Sequence, residues 1–270
     1  MDNLTNKQYW DDFYKNLKKS DGKSFFQKYF PQPKVANYSN YLLWNDILSR
    51  YLPKERGLKI LEIGSAPGGY LINFHKKFSY LPYGVENSDE GYKINCQKFE
   101  NAELDPKNII NADVFSGDFQ KKYGSFFDIV YSRGFIEHFE DTKKVITCHL
   151  NLLKKDGTLV IIIPNLRGLN FYLANFFNKE SLKKHNLKIM DKKIFYNIFC
   201  GEGLKTLFCD YYGVFNFGLF NTINIFAKFL HRICMIFQYL LNFIFRTLFK
   251  NKPLEHRYFS PYLIYIGRKK

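Results

Sequence analysis

Between residues 58 and 165 the chain alternates short apolar runs with amphipathic segments, and no other feature constrains its fold as much. The runs LKILEI (58–63), LPYGVE (81–86) and TLVIIIP (158–164) are apolar at nearly every position. A strand with one face in water alternates polar and apolar residues, whereas one that is apolar throughout is covered on both faces. FFDIVYS (126–132) reads as a further strand, and a short one is expected near Asn108–Ala112. Helices are expected from Pro67 to about Phe78, from the N-cap Ser88 to about Phe99, and from Asp141 to about Leu153. Buried strands alternating with helices indicate a parallel sheet with helices on both sides, a doubly wound α/β fold. Residues 4–19 and 34–51 read as two earlier helices, separated by Pro31 and Pro33. After Asn165 come an aromatic-rich helical stretch, a strand around Leu207–Phe217, an apolar segment at 219–250 and a last strand in YFSPYLIYIGRKK. The expected organisation is one domain over 1–270, with an N-terminal helical cap at 1–52 and an amphipathic helical insertion at 219–250.

The sequence LEIGSAPGGYL (61–71) follows the first strand, where an open α/β sheet binds its ligand. A dinucleotide fingerprint would read Gly64, Ala66, Gly69, with Ala where backbone must approach a pyrophosphate. Glu62 is the better discriminator. A carboxylate at the strand end repels a pyrophosphate and attracts a ligand that carries an ammonium and a sulfonium. That ligand is S-adenosylmethionine (SAM), and Glu62-x-Gly64-x-x-x-Gly68 resembles the first motif of class I SAM-dependent methyltransferases.

The resemblance continues in order along the chain. Glu86 ends the second strand, 22 residues after Gly64, where an acid can bond both ribose hydroxyls. Asn111-Ala112-Asp113-Val114 follows the third strand, and the family places there an Asp on the adenine amino group and an apolar residue on the ring. FDIVYSRGFIEHFED (127–141) and LLKKDGTLVIIIPN (152–165) resemble the fourth- and fifth-strand signatures. The resemblance implies a Rossmann-like, mostly parallel seven-stranded sheet with SAM as cofactor. It implies cofactor contacts from Glu62, Gly64, Ser65, Gly68, Glu86, Asn87, Asp113, Val114 and Ser132, and no metal.

A net charge of +15 suits an anionic partner, yet Lys is also spread along the whole chain. The A-P-G-G of residues 66–69 resembles ribose 2′-O RNA methyltransferases. Those enzymes need an Asp after the fourth strand and a Lys after the fifth, where this chain has Ser132-Arg133 and Pro164-Asn165. Nucleic acid is therefore disfavoured as the partner. GFIEHFED instead resembles small-molecule O-methyltransferases of quinone and sugar pathways, and His138 becomes the candidate base that takes a hydroxyl proton. The expected acceptor is a small molecule or glycan, first a sugar hydroxyl of a bacterial surface-glycan precursor, second a quinone or lipid headgroup. A non-catalytic SAM-fold membrane adaptor is the non-enzyme alternative.

Five cysteines, an odd number without a C-x-x-C, and a polar, acidic start (MDNLTNKQYWDD) point to a reduced cytoplasmic protein. In 219–250, residues Asn221, Asn224, Lys228, His231, Arg232, Gln238, Asn242, Arg246 and Lys250 fall on one helical arc of roughly 120°. A spanning helix would not carry such a stripe. The expectation is a helix on the inner membrane surface with Lys and Arg facing anionic headgroups, or a lid over the site or a subunit interface with its stripe in water.

Overall fold

The computed structural model describes residues 3–20, 38–220, 225–248 and 255–270. The expected Pro31–Pro33 break, and Asn221, Asn224 and Lys250 of the insertion, lie outside them. Seven strands form one sheet in the order β3-β2-β1-β4-β5-β7-β6: β1 (Lys59–Ile63), β2 (Leu81–Glu86), β3 (Ile109–Asn111), β4 (Phe127–Arg133), β5 (Leu153–Pro164), β6 (Leu204–Tyr212) and β7 (Tyr262–Lys269). The first five pair in parallel, and β7 runs antiparallel between β5 and β6. Strand order reverses at β1/β4, which puts the ligand crevice over the carboxyl ends of those two strands.

The helices are α1 (Lys7–Ser20), α2 (Tyr38–Leu42, then a π turn over Leu43–Ile47, then Leu48–Tyr51), α3 (Gly69–Phe78), α4 (Asp89–Glu100) and α5 (Gly117–Tyr123). They continue with α6 (Thr142–Leu152), α7 (Leu169–Lys183), α8 (Lys192–Ile198) and α9 (Ile225–Leu248). Caps set several of the starts: Ser88, Ser116, Asp141 and Asp191 each accept a backbone N–H of the first turn. The third helix begins at Gly69 rather than at Pro67, because Gly68 holds a left-handed φ of 83° immediately before it.

Apolar strands split cleanly between the two faces. Leu61, Ile63, Val130, Leu159, Ile161 and Ile163 pack with α5, α6 and α8 on one side. Ile60, Ile129, Tyr131, Val160 and Ile162 pack with α2 and α3 on the other. The two-residue period therefore fills both layers, as continuous apolar strands require.

The insertion folds as α9, and its polar stripe is divided between the interior and the surface. Gln238 and Asn242 are buried, and His231 is half-buried. The Gln238 Oε1 accepts from the Phe217 N–H at 2.5 Å, and His231 Nε2 lies 2.7 Å from the Phe217 carbonyl. Those backbone groups lie in a turn outside the sheet, and half of the polar stripe turns inward to satisfy them. Phe229, Ile233, Ile236, Phe237, Leu240 and Phe243 are exposed instead, over an arc of roughly 120°. Lys228 and Arg232 stand exposed along one edge of that face. No described helix is long and apolar enough to cross a membrane.

Candidate active site

The turn after β1 is built from two hydrogen bonds to the neighbouring strand. The N–H groups of Gly64 and Ser65 both donate to the Val85 carbonyl, at 3.0 and 3.2 Å. Glycine is required at Gly68 for two reasons: its φ is left-handed, and a Cβ there would stand 2.1 Å from Asn95 Oδ1. Asn95 in turn donates to Ser65 Oγ at 2.6 Å, fixing the loop to α4.

Glu86, buried at the end of β2, fastens this loop from the other side. Its carboxylate accepts from the Ala66 N–H at 3.2 Å and the Ser88 N–H at 2.9 Å. Burial raises its pKa while those N–H groups oppose the rise. The cavity between these elements is lined by Gly64, Ala66, Glu86, Asn87, Asp113, Val114, Arg133, Gly134, Phe135 and His138. Its outer wall comes from α1, where Trp10 and Tyr14 line it and the Tyr14 hydroxyl donates to the Ala66 carbonyl at 3.2 Å. Asp11 docks that helix by accepting from Ser88 Oγ at 2.6 Å.

Six of the residues singled out in sequence meet in this cavity: Gly64, Glu86, Asn87, Asp113, Val114 and His138. Ser65 and Gly68 support it from beneath. Glu62 is buried just below, with Oε2 unpartnered and its pKa raised well above normal by burial. Ser132 is not among the residues that line the cavity. Its hydroxyl turns to the opposite face and lies 3.0 Å from His149 Nε2. Since β4 extends to Arg133, strand alternation hands the cavity wall to Arg133 instead.

His138 sits in a short turn after β4. Its Nδ1 lies 2.7 Å from the Lys184 carbonyl, which requires the proton on Nδ1 and leaves the Nε2 lone pair free. Burial and the adjacent His185 ring pull its pKa down to about 3, so the imidazole is neutral at physiological pH. Glu137 beside it is fully buried with both oxygens unpartnered, and burial pushes its pKa up to about 8. Glu137, His138 and His185 each bring one ligand atom within 4.8 Å of the others, the one grouping of this kind among the described residues. No sequence motif had connected His185, 47 positions from His138, to the site.

The sequence profile of a methyltransferase domain matches residues 37–211, about two thirds of the chain. The chain belongs to the methyltransferase domain family. Solved methyltransferases share its fold at low identity. A SAM-dependent methyltransferase from Aquifex aeolicus aligns over 96% of this chain and 98% of its own, with TM-score 0.54 and 10% identity. Phosphoethanolamine N-methyltransferase 2 of Haemonchus contortus, solved with SAM, aligns over 92% of this chain and 60% of its own, with TM-score 0.53 and 16% identity. Geranyl diphosphate C-methyltransferase of Streptomyces coelicolor, solved with Mg2+, geranyl diphosphate and S-adenosylhomocysteine (SAH), covers 86% of this chain and 79% of its own, with TM-score 0.57 and 10% identity. A search of curated protein sequences finds no significant match. The methyltransferase is of class I, with a seven-stranded sheet, and its cofactor is SAM. The cavity suits that ligand: it pairs an acid at each of two strand ends with an apolar shelf at Val114 and the Phe115 ring.

Proposed function

We propose that this methyltransferase O-methylates a sugar hydroxyl of a bacterial surface-glycan precursor presented at the cytoplasmic face of the membrane. The free Nε2 lone pair of a neutral, rigidly held His138 on the cavity wall carries the chemical part of this reading. SAM supplies an electrophilic methyl group on its sulfonium. Glu86 would hold the ribose hydroxyls, Asp113 and Val114 would take adenine, and Gly64, Ser65, Gly68 and Asn87 would shape the cradle. As the acceptor oxygen gains the methyl, its proton passes to His138 Nε2, and SAH is the other product. The Nδ1–H bond to the Lys184 carbonyl holds the ring in place and steadies the imidazolium that forms. The reaction is metal-independent on this reading.

The outward apolar face of α9, with Lys228 and Arg232 at its edge, supports a lipid-linked acceptor, because such a helix seats on an anionic bilayer surface. The same face suits a quinone or other lipid headgroup, the second reading. RNA loses support, because Ser132 is engaged with His149, and Asn165 is bound to the Arg257 and Ser260 carbonyls.

The direct test incubates the protein with methyl-labelled SAM and a panel of nucleotide sugars, polyprenyl-linked sugars, quinols and RNA. Label on a sugar oxygen is expected, and it should be lost in His138→Ala. Label confined to RNA, or to a quinol, would replace this assignment.

A further inference from the structure

Glu137, His138 and His185 meet from two separate parts of the chain. The first two close a short turn after β4, and the third follows α7. Both histidines are held through Nδ1. That of His138 lies 2.7 Å from the Lys184 carbonyl, and that of His185 lies 2.6 Å from the Ser181 carbonyl. A carbonyl only accepts, so each ring keeps its proton on Nδ1 and presents a lone pair on Nε2. The ring centroids are 4.6 Å apart, and His138 Nε2 lies 4.0 Å from Glu137 Oε1. The Glu137 side chain is fully buried, and neither oxygen has a hydrogen-bond partner. A buried carboxylate left this way is costly, and a cation beside it removes that cost. The ammonium of Lys184 does not serve: it lies 3.9 Å over the Tyr9 ring.

These are the features of a metal site. Imidazoles that ligate a metal donate their other N–H to a carbonyl or carboxylate, which fixes the ring and its tautomer. Two imidazole nitrogens and one carboxylate oxygen are a zinc donor set, whereas Mg2+ and Ca2+ take oxygen ligands. One donor atom from each residue lies within 4.8 Å of the others. Zinc bonds of about 2.0–2.2 Å place tetrahedral donors about 3.3 Å apart, so shifts of about 1 Å per side chain gather them round one ion. His138 lines the cavity, which gives a cation its way in.

We propose that Glu137, His138 and His185 bind a zinc-type divalent cation that switches the enzyme off. The ion takes the Nε2 lone pair of His138, the pair that otherwise receives the acceptor proton, so metal and proton transfer exclude each other. The switch rests on His138 being the base; the site itself does not.

Zinc alone is the probe for the site, and no acceptor is needed. Metal-free protein titrated with Zn2+ against a competing chelator should bind one equivalent, with excess Mg2+ present. His185→Ala and Glu137→Gln should each weaken this by about 10-fold or more. X-ray absorption of the zinc complex should show only nitrogen and oxygen ligands, at about 2.0–2.2 Å. A sulfur shell would move the ion to a cysteine and overturn the site, as would unchanged affinity in both variants. Turnover on the acceptor found by labelling tests the switch. One equivalent of zinc should lower it by about 10²-fold, reversibly with EDTA, while SAH affinity stays within about 2-fold. Inhibition of His185→Ala, judged against its own metal-free rate, should need about 10-fold more zinc. Zinc that binds these residues and leaves turnover unchanged, or raises it, would overturn the switch. Normal metal-free turnover of His138→Ala would instead defeat the base reading, and zinc affinity would still decide the site.

Discussion

At the scale of single residues, the chemistry turns on side chains that burial has stripped of charge. His138 is the clearest case. With its pKa at about 3, it remains a free base across pH 5 to 9, and its own titration should produce no acid limb in that range. Replacing it by Ala should lower turnover by about 10² or more while SAH affinity stays within 2-fold; equal turnover would move the proton acceptor elsewhere. Glu137 gives a stability signature of known sign. Its folded pKa of about 8 lies above the unfolded value, so the folded state binds the extra proton between roughly pH 4.3 and 8. Its contribution is full at low pH and is lost as pH rises through 8. Glu137→Gln removes that loss, so the melting temperature of the variant relative to wild type should increase from pH 5 to pH 8.5. A difference that is flat with pH would show that Glu137 is paired in solution. Turnover should survive EDTA, as a metal-independent transfer requires. Loss of activity restored by a divalent cation would place an ion among Glu137, His138 and His185.

At the scale of elements, the alternation of apolar runs made the strands legible, because a parallel sheet needs strands buried on both faces. The first-motif turn was equally legible, since only glycine accommodates the backbone of Gly68 and the approach of Asn95. Two things escaped for a common reason: they depend on where a neighbour stands. Strand β4 runs one residue beyond FFDIVYS, and strand alternation then exchanges Ser132 for Arg133 at the cavity. For α9 the helical wheel shows two faces without saying which one the domain keeps. That choice depends on the Phe217 backbone, whose N–H and C=O draw Gln238 and His231 inward. The outward face then makes a concrete expectation. Wild-type protein should co-sediment with vesicles containing phosphatidylglycerol, and Ile236→Glu with Leu240→Glu should abolish this without lowering the melting temperature. Lys228→Glu with Arg232→Glu should weaken it and reduce its salt dependence. A stable, concentration-dependent dimer that disappears with the same apolar changes would instead identify the face as a subunit interface.

At the scale of the whole molecule, the sheet serves as a rigid platform, and its reversal between β1 and β4 opens one crevice that α1 closes from outside. Platform and crevice should respond separately to change. Ile161→Ala, in the fully buried middle of β5, should cost about 2–5 kcal/mol of stability through the cavity it leaves, with little effect on SAH affinity. Saturating SAH should raise the melting temperature by about 5 °C or more, since a ligand at 100 times its Kd adds about 2.7 kcal/mol. On this reading the crevice holds SAM in one defined orientation. An experimental structure of the SAH complex tests it most directly. Adenine is expected against Val114 and Asp113 and the ribose hydroxyls on Glu86, with the sulfur turned toward His138. SAH in a reversed pose, or bound outside the crevice, would contradict it.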